Sequence, residues 1–494
     1  MKLIPTTPAL LQIKDPSDKE LVELRKHLTY IDRRVDFELY KFKNSHWARQ
    51  SPDYHQRLQE LQDSRKKSLL VLKGGEWFTH SGLAKRLSRL MNPPVEKPAY
   101  SIPEPKLVPY ENTPPYTPYP YQNTMVEKLL ATQHGAVEAA TGLGKSFCIT
   151  LIAKRLGLKT VIMAPSVSIA EQLLADFTKY FGKRKVGQFF GGKKESGKLF
   201  TIAVAASLTR LEPGDDHWDN LSKAAVFLAD ESHLCPAATL EKVCMGLLEH
   251  PSYRYFFSGT QLRQDGLDLL LEGLIGPVVF EMNVEQGVDA GFLAKPMFRM
   301  IRISSKSVYQ SSDANNMTRQ HLYYNKRLNL VAGSMASGLV SAGKQVLILI
   351  DELEQFTCLL PHFRHPVAFA HGGVTAENAT KIPPEYHESD PNALVKKFNA
   401  GDIPILVGTS CISTGTDVRN NKATIYLVGG KSEIAVRQGA IGRSTRIVPA
   451  IGKKECLIYD FDVYNIPVLH KHATERAKIY QDTYPDYQEI SGDR

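Results

Sequence analysis

Beyond residue 119 the chain alternates short apolar runs with amphipathic stretches. Thr160-Val-Ile-Met-Ala164, Phe200-Thr-Ile-Ala-Val-Ala205, Ala224-Ala-Val-Phe-Leu-Ala229 and Tyr253-Arg-Tyr-Phe-Phe257 are apolar at consecutive positions rather than at alternate ones. Runs of that kind predict strands covered on both faces, as in a parallel sheet flanked by helices. Ile169-Ala-Glu-Gln-Leu-Leu-Ala-Asp-Phe-Thr-Lys-Tyr180 places its apolar residues at helical spacing between two of these runs. The order is that of repeated βαβ units. A second series follows in Phe298–Ile303, Gln345–Ile350, Ile403–Val407, Thr424–Val428 and Cys456–Asp460. Between the two series, Val284 to Pro296 predicts a helix ending near Gly291 and then a crossing. Two α/β domains of similar size are expected, with no sequence repeat evident between them.

The first part of the chain reads differently. Ten of the 29 prolines lie between Pro93 and Pro120. Such a segment resists both helix and sheet and predicts a semi-extended linker. Residues 1–91 are therefore expected to form a separate small α+β domain, with a strand at Ser68-Leu-Leu-Val-Leu72 and a closing helix at Gly82–Leu90. The expected fold is α/β. It has a small N-terminal domain (1–91), a linker (92–118), two tandem parallel-sheet domains (119–290 and 297–463) and a polar, partly helical tail (464–494). A chain of 494 residues has room for about three domains.

Composition narrows the class only a little. At 43% hydrophobic and 23% charged, the chain is neither disordered nor a fibrous or disulfide scaffold. The apolar runs fall well short of the roughly 18 residues of a membrane span, and Met1–Pro8 lacks the apolar core of a secretory signal. No membrane partner and a cytoplasmic setting are expected, the host's if the gene is a phage's. The six cysteines, at 148, 235, 244, 358, 411 and 456, show no CxxC pair and no zinc spacing. They read as buried thiols in a reducing compartment. The net charge of +9 is unevenly spread, since residues 1–91 hold 18 Lys and Arg against 11 Asp and Glu. That imbalance fits a polyanionic partner at the N-terminal end.

The sharpest chemical signal is Ala139-Ala-Thr-Gly-Leu-Gly-Lys-Ser146, after a short apolar run and before a helical one. Thr141, Gly142 and Gly144 would let backbone N–H groups close around phosphate oxygens at a helix N-terminus. Lys145 would reach the β- and γ-phosphates of ATP, and Ser146 would hold Mg²⁺. The usual loop of this type opens with Gly, where this chain has Ala139. Asp230-Glu-Ser-His233 directly follows the run 224–229. An acid at a strand end opposite a phosphate loop suits Mg²⁺ binding by Asp230, with Glu231 as general base for the attacking water. Taken alone, such an acid pair often just caps a helix.

Together these two motifs resemble those of the DExH-type helicases of superfamily 2. Further motifs of that family stand in the same order across residues 119–446. Tyr119-Pro-Tyr-Gln122 resembles the adenine-reading segment. Pro165-Ser166 onward resembles motif Ia, Ala205-Ala-Ser207 motif Ic, Ser258-Gly-Thr260 motif III, and His371-Gly-Gly373 motif IVa. The stretch from Val407 through Thr409 and Gly415 to Asp417 resembles motif V, and Gly442-Arg443-Ser-Thr-Arg446 resembles motif VI. The resemblance implies two RecA-like domains. Gln122, Gly415 and Asp417 would join the P-loop residues in binding ATP, and Arg443 and Arg446 would be supplied by the second domain as catalytic arginines. Pro165, Ser166, Ser207 and Thr409 would touch nucleic-acid backbone, while His233, Ser258 and Thr260 would couple ATP state to strand grip. Motif VI departs in one place: the family's Gln slot holds Gly439, with Gln438 one residue upstream. Arginine suits phosphate because its planar fork stays charged and bonds in two places. Fingers of this kind are worth ~10³–10⁵ in rate.

Segment 276–296 and the overall spacing further resemble the phage UvsW-like helicases and the related XPB and RecG groups. What this implies is an ATP-driven DNA helicase or branch-migration translocase, favoured as a monomer, acting on single-stranded and branched DNA. An RNA helicase and an ATP-responsive clamp with little turnover are the alternatives. In residues 1–91, Tyr40, Phe42, Trp47, Trp77 and Phe78 stand among Lys41, Lys43, Arg49, Arg65, Lys66 and Lys67. Aromatics among cations can stack on unpaired nucleotides while the cations neutralise phosphate. The same aromatics could equally be the core of a small domain.

Overall fold

A computed structural model describes residues 1–107, 117–259, 267–375, 379–409, 412, 418–430, 436–447 and 452–493. The chain falls into two compact units: residues 1–139 with 144–281, and residues 140–143 with 282–494.

The first unit is built on a seven-stranded sheet. Its order is Val278–Met282, His134–Ala139, Tyr253–Ser258, Val226–Ala229, Thr160–Ala164, Phe200–Val204 and Val186–Phe189. The described pairings among its last six strands are parallel. Thr160–Ala164 and Phe200–Val204 are buried at every position, as their continuous apolar runs predicted. Helix Val167–Phe181 buries Ile169, Ala170, Leu173 and Phe177 and begins at Ser166, whose Oγ accepts from the Ile169 N–H. The second unit repeats the design. Its sheet order is Val367–Ala370, Ile405–Gly408, Val346–Leu349, Ala423–Tyr426, Glu455–Val463, Lys295–Ile303 and Tyr487–Ser491, all parallel. These are two tandem RecA-like sheets. Helix Val284–Asp289 ends where the crossing was expected.

The N-terminal residues form a four-stranded antiparallel sheet in the order Lys2–Pro5, Leu10–Lys14, Glu76–His80, Val71–Lys73. A second ribbon pairs Thr29–Ile31 with Lys66–Ser68. The strand predicted over 68–72 is therefore split. Leu69 and Leu70 turn inward and are buried between the two ribbons, and the Leu69 N–H donates to the Leu28 carbonyl at 2.8 Å.

Residues 1–91 pack against the first sheet domain. Leu3, Leu11, Ile13, Leu24, Leu83 and Leu87 belong to the same buried cluster as Leu267, Leu270, Leu271 and Leu274 of the first sheet domain. The reason is size: a sheet of four short strands cannot enclose its own apolar face. Gly82 shows how tight the seam is, since a Cβ there would meet the Glu272 carbonyl at 2.3 Å. The proline-rich segment is a strap rather than a free tether. The Leu3 N–H donates to Pro94 O, Glu96 N–H to Leu3 O, Ala99 N–H to Pro5 O and Lys106 N–H to Leu156 O.

The C-terminal segment also gains structure beyond expectation. Helix Pro467–Thr483 buries Leu469, Ala473, Arg476, Ile479 and Tyr480, and Tyr487–Ser491 completes the second sheet. None of the helices among the described residues is long and apolar enough to cross a membrane. The five described cysteines are free thiols, four of them buried; Cys411 lies outside the described residues.

Candidate nucleotide site

The C-terminal ends of the first sheet's strands gather the predicted groups. In parallel α/β sheets that edge is where ligands bind, because loops and helix N-termini converge there. Strand His134–Ala139 leads into the P-loop, where Gly142 and Gly144 have φ of 100° and 73°. Side-chain-bearing residues rarely adopt such angles, so glycine at both positions is a backbone requirement. Helix Lys145–Leu156 then begins at Gly144. Lys145 is buried; its Nζ donates to the Ala139 carbonyl at 3.0 Å and lies 3.4 Å from Glu231 Oε1. The Ser146 hydroxyl donates to Asp230 Oδ2 at 3.1 Å. Gln122 is buried as well. Its Oε1 accepts from the Tyr119 N–H at 3.0 Å, and its Nε2 lies so near Gly144 that a Cβ there would sit 2.6 Å away.

Asp230 continues strand Val226–Ala229, its N–H donating to the Met163 carbonyl. Burial first, and the Glu231 carboxylate next, push Asp230 up to about 7. Glu231 has φ of 44°, left-handed for a residue with a side chain. Conformations of that kind cost ~1–3 kcal/mol and persist only where the surroundings enforce them. Glu231 Oε2 is buried without a hydrogen-bond partner among the described residues and lies 3.5 Å from His233 Nδ1. His233 Nδ1 in turn contacts Ser258 Oγ at 2.6 Å, joining the acidic motif to the end of strand Tyr253–Ser258. A hydroxyl and a carboxylate already in contact, beside a buried amine and an unsatisfied carboxylate oxygen, form a donor set that fits a magnesium–phosphate group.

Pro165, Ser166 and Ser207 follow the ends of strands Thr160–Ala164 and Phe200–Val204 at the same edge. Thr409 holds the equivalent place in the second unit, after strand Ile405–Gly408, where it is buried and its N–H donates to Ala370 O. Arg443 is buried in the short helix Gly442–Ser444, and half-buried Arg446 bridges to Leu293. Both belong to the second unit. Thr260, Gly415, Asp417 and the Gln438 side chain lie outside the described residues.

A family model described as "Type III restriction enzyme, res subunit" matches residues 115–262, the stretch that carries the P-loop and the acidic motif. "Probable helicase D10" of Escherichia phage T5 is 27% identical over 353 residues, covering 70% of this chain and 71% of that one. These matches support the resemblance to superfamily 2 helicases carried by the motifs. A protein of Sulfolobus islandicus filamentous virus, also named for a helicase, is 22% identical over 373 residues. That match takes in 71% of this chain but 64% of the viral protein, just under two thirds of its length. Among solved structures, S. cerevisiae Dbp5 bound to RNA and ADP BeF3 shares the fold, with TM-score 0.51 and 14% identity over 76% of this chain and 90% of Dbp5. The crystal structure of T4 UvsW aligns over 99% of both chains, with TM-score 0.43 and 15% identity.

Two groups in this chain went unseen in the sequence. The Ala139 carbonyl is the acceptor that holds Lys145, and a backbone oxygen leaves no trace in a motif. Arg476 is buried in the second unit. Its Nε and Nη2 donate to Asp460 at 2.7 and 2.9 Å, and its Nη1 donates to Gly430 O at 2.7 Å, on the segment leading toward Arg443. Tyr480 OH donates to the same Asp460 at 2.8 Å. Only the helical pattern of the tail hinted at this, and a lone arginine on a polar helix carries no such signal.

Proposed function

We propose that this chain is an ATP-driven DNA helicase or translocase that acts on branched DNA. The observation that carries the reading is the convergence of Lys145, Ser146, Asp230 and Glu231 at one sheet edge. Lys145 and the glycine-rich turn would cradle the phosphates of ATP, and Ser146 and Asp230 would hold Mg²⁺, which neutralises charge on the phosphate oxygens when bound. Glu231 would accept the proton of the attacking water, its second oxygen being free to take it. Arg443 and Arg446 would complete the site from the second RecA-like domain, tying hydrolysis to domain closure. Ser166, Ser207 and Thr409 would grip backbone phosphate without reading sequence.

DNA rather than RNA is favoured by the name of one relative, "DNA 3'-5' translocase XPB2" of Sulfurisphaera tokodaii, which is 22% identical over 65% of this chain. Branched substrates are favoured by the basic N-terminal segment fixed to the first sheet domain. The test is ATPase activity titrated with single strand, duplex, fork, four-way junction and RNA. Strongest stimulation by fork and junction is expected. Equal or stronger stimulation by RNA would overturn the DNA assignment, and no stimulation by any nucleic acid would overturn the motor.

A further inference from the structure

The aromatic residues of the N-terminal segment divide into two sets. Phe42 and Tyr54 stack on each other, with centroids 5.3 Å apart and planes 8° from parallel, and so join helix Arg34–Asn44 to helix Tyr54–Ser64. Trp77 and Phe78 are partly buried, with Trp77 packed on the core and Arg25 over its ring. These are structural. Phe37, Tyr40 and Trp47 are 61%, 66% and 82% exposed. Phe37 and Trp47 are the only exposed Phe and Trp among the described residues.

Their position on the helix is the telling point. Helix Arg34–Asn44 buries Val35 and Leu39, the side on which an amphipathic helix carries its apolar residues. Phe37 and Tyr40 stand three apart on the opposite side, with Lys41 and Asn44 completing the outward i, i+3, i+4, i+7 stripe. Solvent-facing positions ordinarily take polar residues, and rings there gain nothing for the fold. Lys41 Nζ lies 4.4 Å from the Phe37 ring centroid, a cation on an aromatic face. Trp47 follows in the next short helix, His46–Arg49, with exposed Lys43 and Arg49 on either side of it in sequence. No ion pair engages Arg33, Lys41, Lys43 or Arg49 among the described residues, whereas Asp36, one of the two acids of this helix, is paired with Arg65 at 2.6 Å.

We infer that Phe37, Tyr40 and Trp47 form a stacking ridge for the unpaired bases of single-stranded DNA, with Lys41, Lys43 and Arg49 holding its phosphates. The rings supply sequence-blind contact to base faces and the cations supply charge complementarity. A duplex hides its base faces, so it can use the cations but not the rings. The inference deepens the DNA-motor reading and rests on it for its ligand: the ridge would hold the displaced strand of a branched substrate.

The test uses the full chain without nucleotide. Anisotropy titrations compare a ~20-nucleotide oligo(dT), longer than the ~4–16 nucleotides of a typical single-strand site, with a blunt duplex of equal length. The triple variant Phe37→Ala, Tyr40→Ala, Trp47→Ala should bind oligo(dT) at least ~10-fold more weakly, at about one stacked base's worth of affinity per tenfold. Its duplex affinity should change by less than ~2-fold, and its melting temperature should stay at the wild-type value, since all three sites are solvent-facing. Oligo(dT) should also quench wild-type tryptophan emission, and Trp47→Phe should remove that quench. Lys41→Gln with Lys43→Gln should weaken both DNAs and flatten the salt dependence. Equal loss on duplex and oligo(dT), or no loss on either as for a ridge serving a protein partner, would overturn the inference. Oligo(dT) binding through the ridge without nucleic-acid-stimulated ATP hydrolysis would leave the ridge standing and sink the motor reading.

Discussion

The edge of the first unit that carries the P-loop and the backing of the arginine segment in the second solve opposite problems. At the first, polar groups are held short of full satisfaction. Lys145 rests on the Ala139 carbonyl at a strand end and on Glu231, Glu231 keeps a strained backbone and an oxygen unmatched among the described residues, and Asp230 is lifted by burial. In the second, the Asp460 carboxylate takes two bonds from Arg476 and one from Tyr480, while Arg476 spends its remaining nitrogen on Gly430 O. Ser444, between the two arginines, is likewise engaged with Thr424 at 2.8 Å, and Thr424 with Asn421 at 2.8 Å. Incomplete pairing marks groups that must exchange partners when a ligand arrives. Complete pairing marks groups whose task is to keep a segment in place.

Substitutions should separate these two behaviours. The largest effect is expected at the P-loop edge: Lys145→Ala should cost ~10²–10³-fold in ATP turnover, as loss of a preorganised charge donor does, while leaving the unfolding midpoint near wild type. A steady-state ATPase assay beside a denaturant melt decides it. In the second unit the order should invert. Arg476→Met leaves Asp460 buried and uncompensated and should destabilise that unit by ~3–5 kcal/mol. Combining it with Asp460→Leu should recover much of that loss, and a midpoint no higher than the single variant's would show that the pair does not act as a unit.

The seam between the N-terminal sheet and the first sheet domain offers a smaller, pH-dependent contrast. His80 is buried there, its Nδ1 without a partner among the described residues, and burial lowers it to about 4; His134, whose Nε2 contacts Leu274 O, is lowered to about 3, also by burial first. Both are bases depressed by folding, so the unfolded chain binds the extra protons below its ordinary value of 6.5. Stability is therefore fully present near neutrality and is lost as pH falls from about 6.5 toward 4. For His80 the loss is on the order of 3 kcal/mol by pH 4, from 1.36 kcal/mol per unit. Melting His80→Leu beside wild type from pH 7 to 4.5 should show a shallower decline for the variant, and parallel curves would refute it. Least of all should come from Arg86→Ala. Its 2.6 Å pair with Glu272 spans the same seam but is partly exposed, so the cost should stay within ~1 kcal/mol in the same melts.

The contrast also explains what could be read in the sequence. The central strands were legible because parallel strands buried on both faces are apolar at successive positions, as at Thr160–Ala164. The edge strand Tyr487–Ser491 is largely exposed and lacks that signature, so it passed for tail. The P-loop and Asp230–His233 were legible because their chemistry is local in sequence. The seam was not, since nothing in residues 1–91 announces that Leu83 and Leu87 share a core with Leu270 and Leu274. Prolines 93–105 looked like a domain boundary, yet their carbonyls accept bonds from both sides, including Leu3 N–H to Pro94 O and Tyr253 OH to Pro103 O. Buried Arg254, donating to the carbonyls of Cys244, Leu248 and Glu249, escaped notice because its partners are backbone oxygens, which leave no trace in a sequence pattern.

Single-turnover hydrolysis of radiolabelled ATP by Glu231→Gln, measured beside binding of a fluorescent ATP analogue, tests the P-loop edge most directly. Glutamine keeps the size and polarity of the side chain but cannot accept the proton of the attacking water. Nucleotide affinity within a few-fold of wild type, with hydrolysis slowed ~10²-fold or more, is the expected result. Hydrolysis at the wild-type rate would contradict the role given to Glu231 and, with it, the assignment of this edge as the site of ATP hydrolysis.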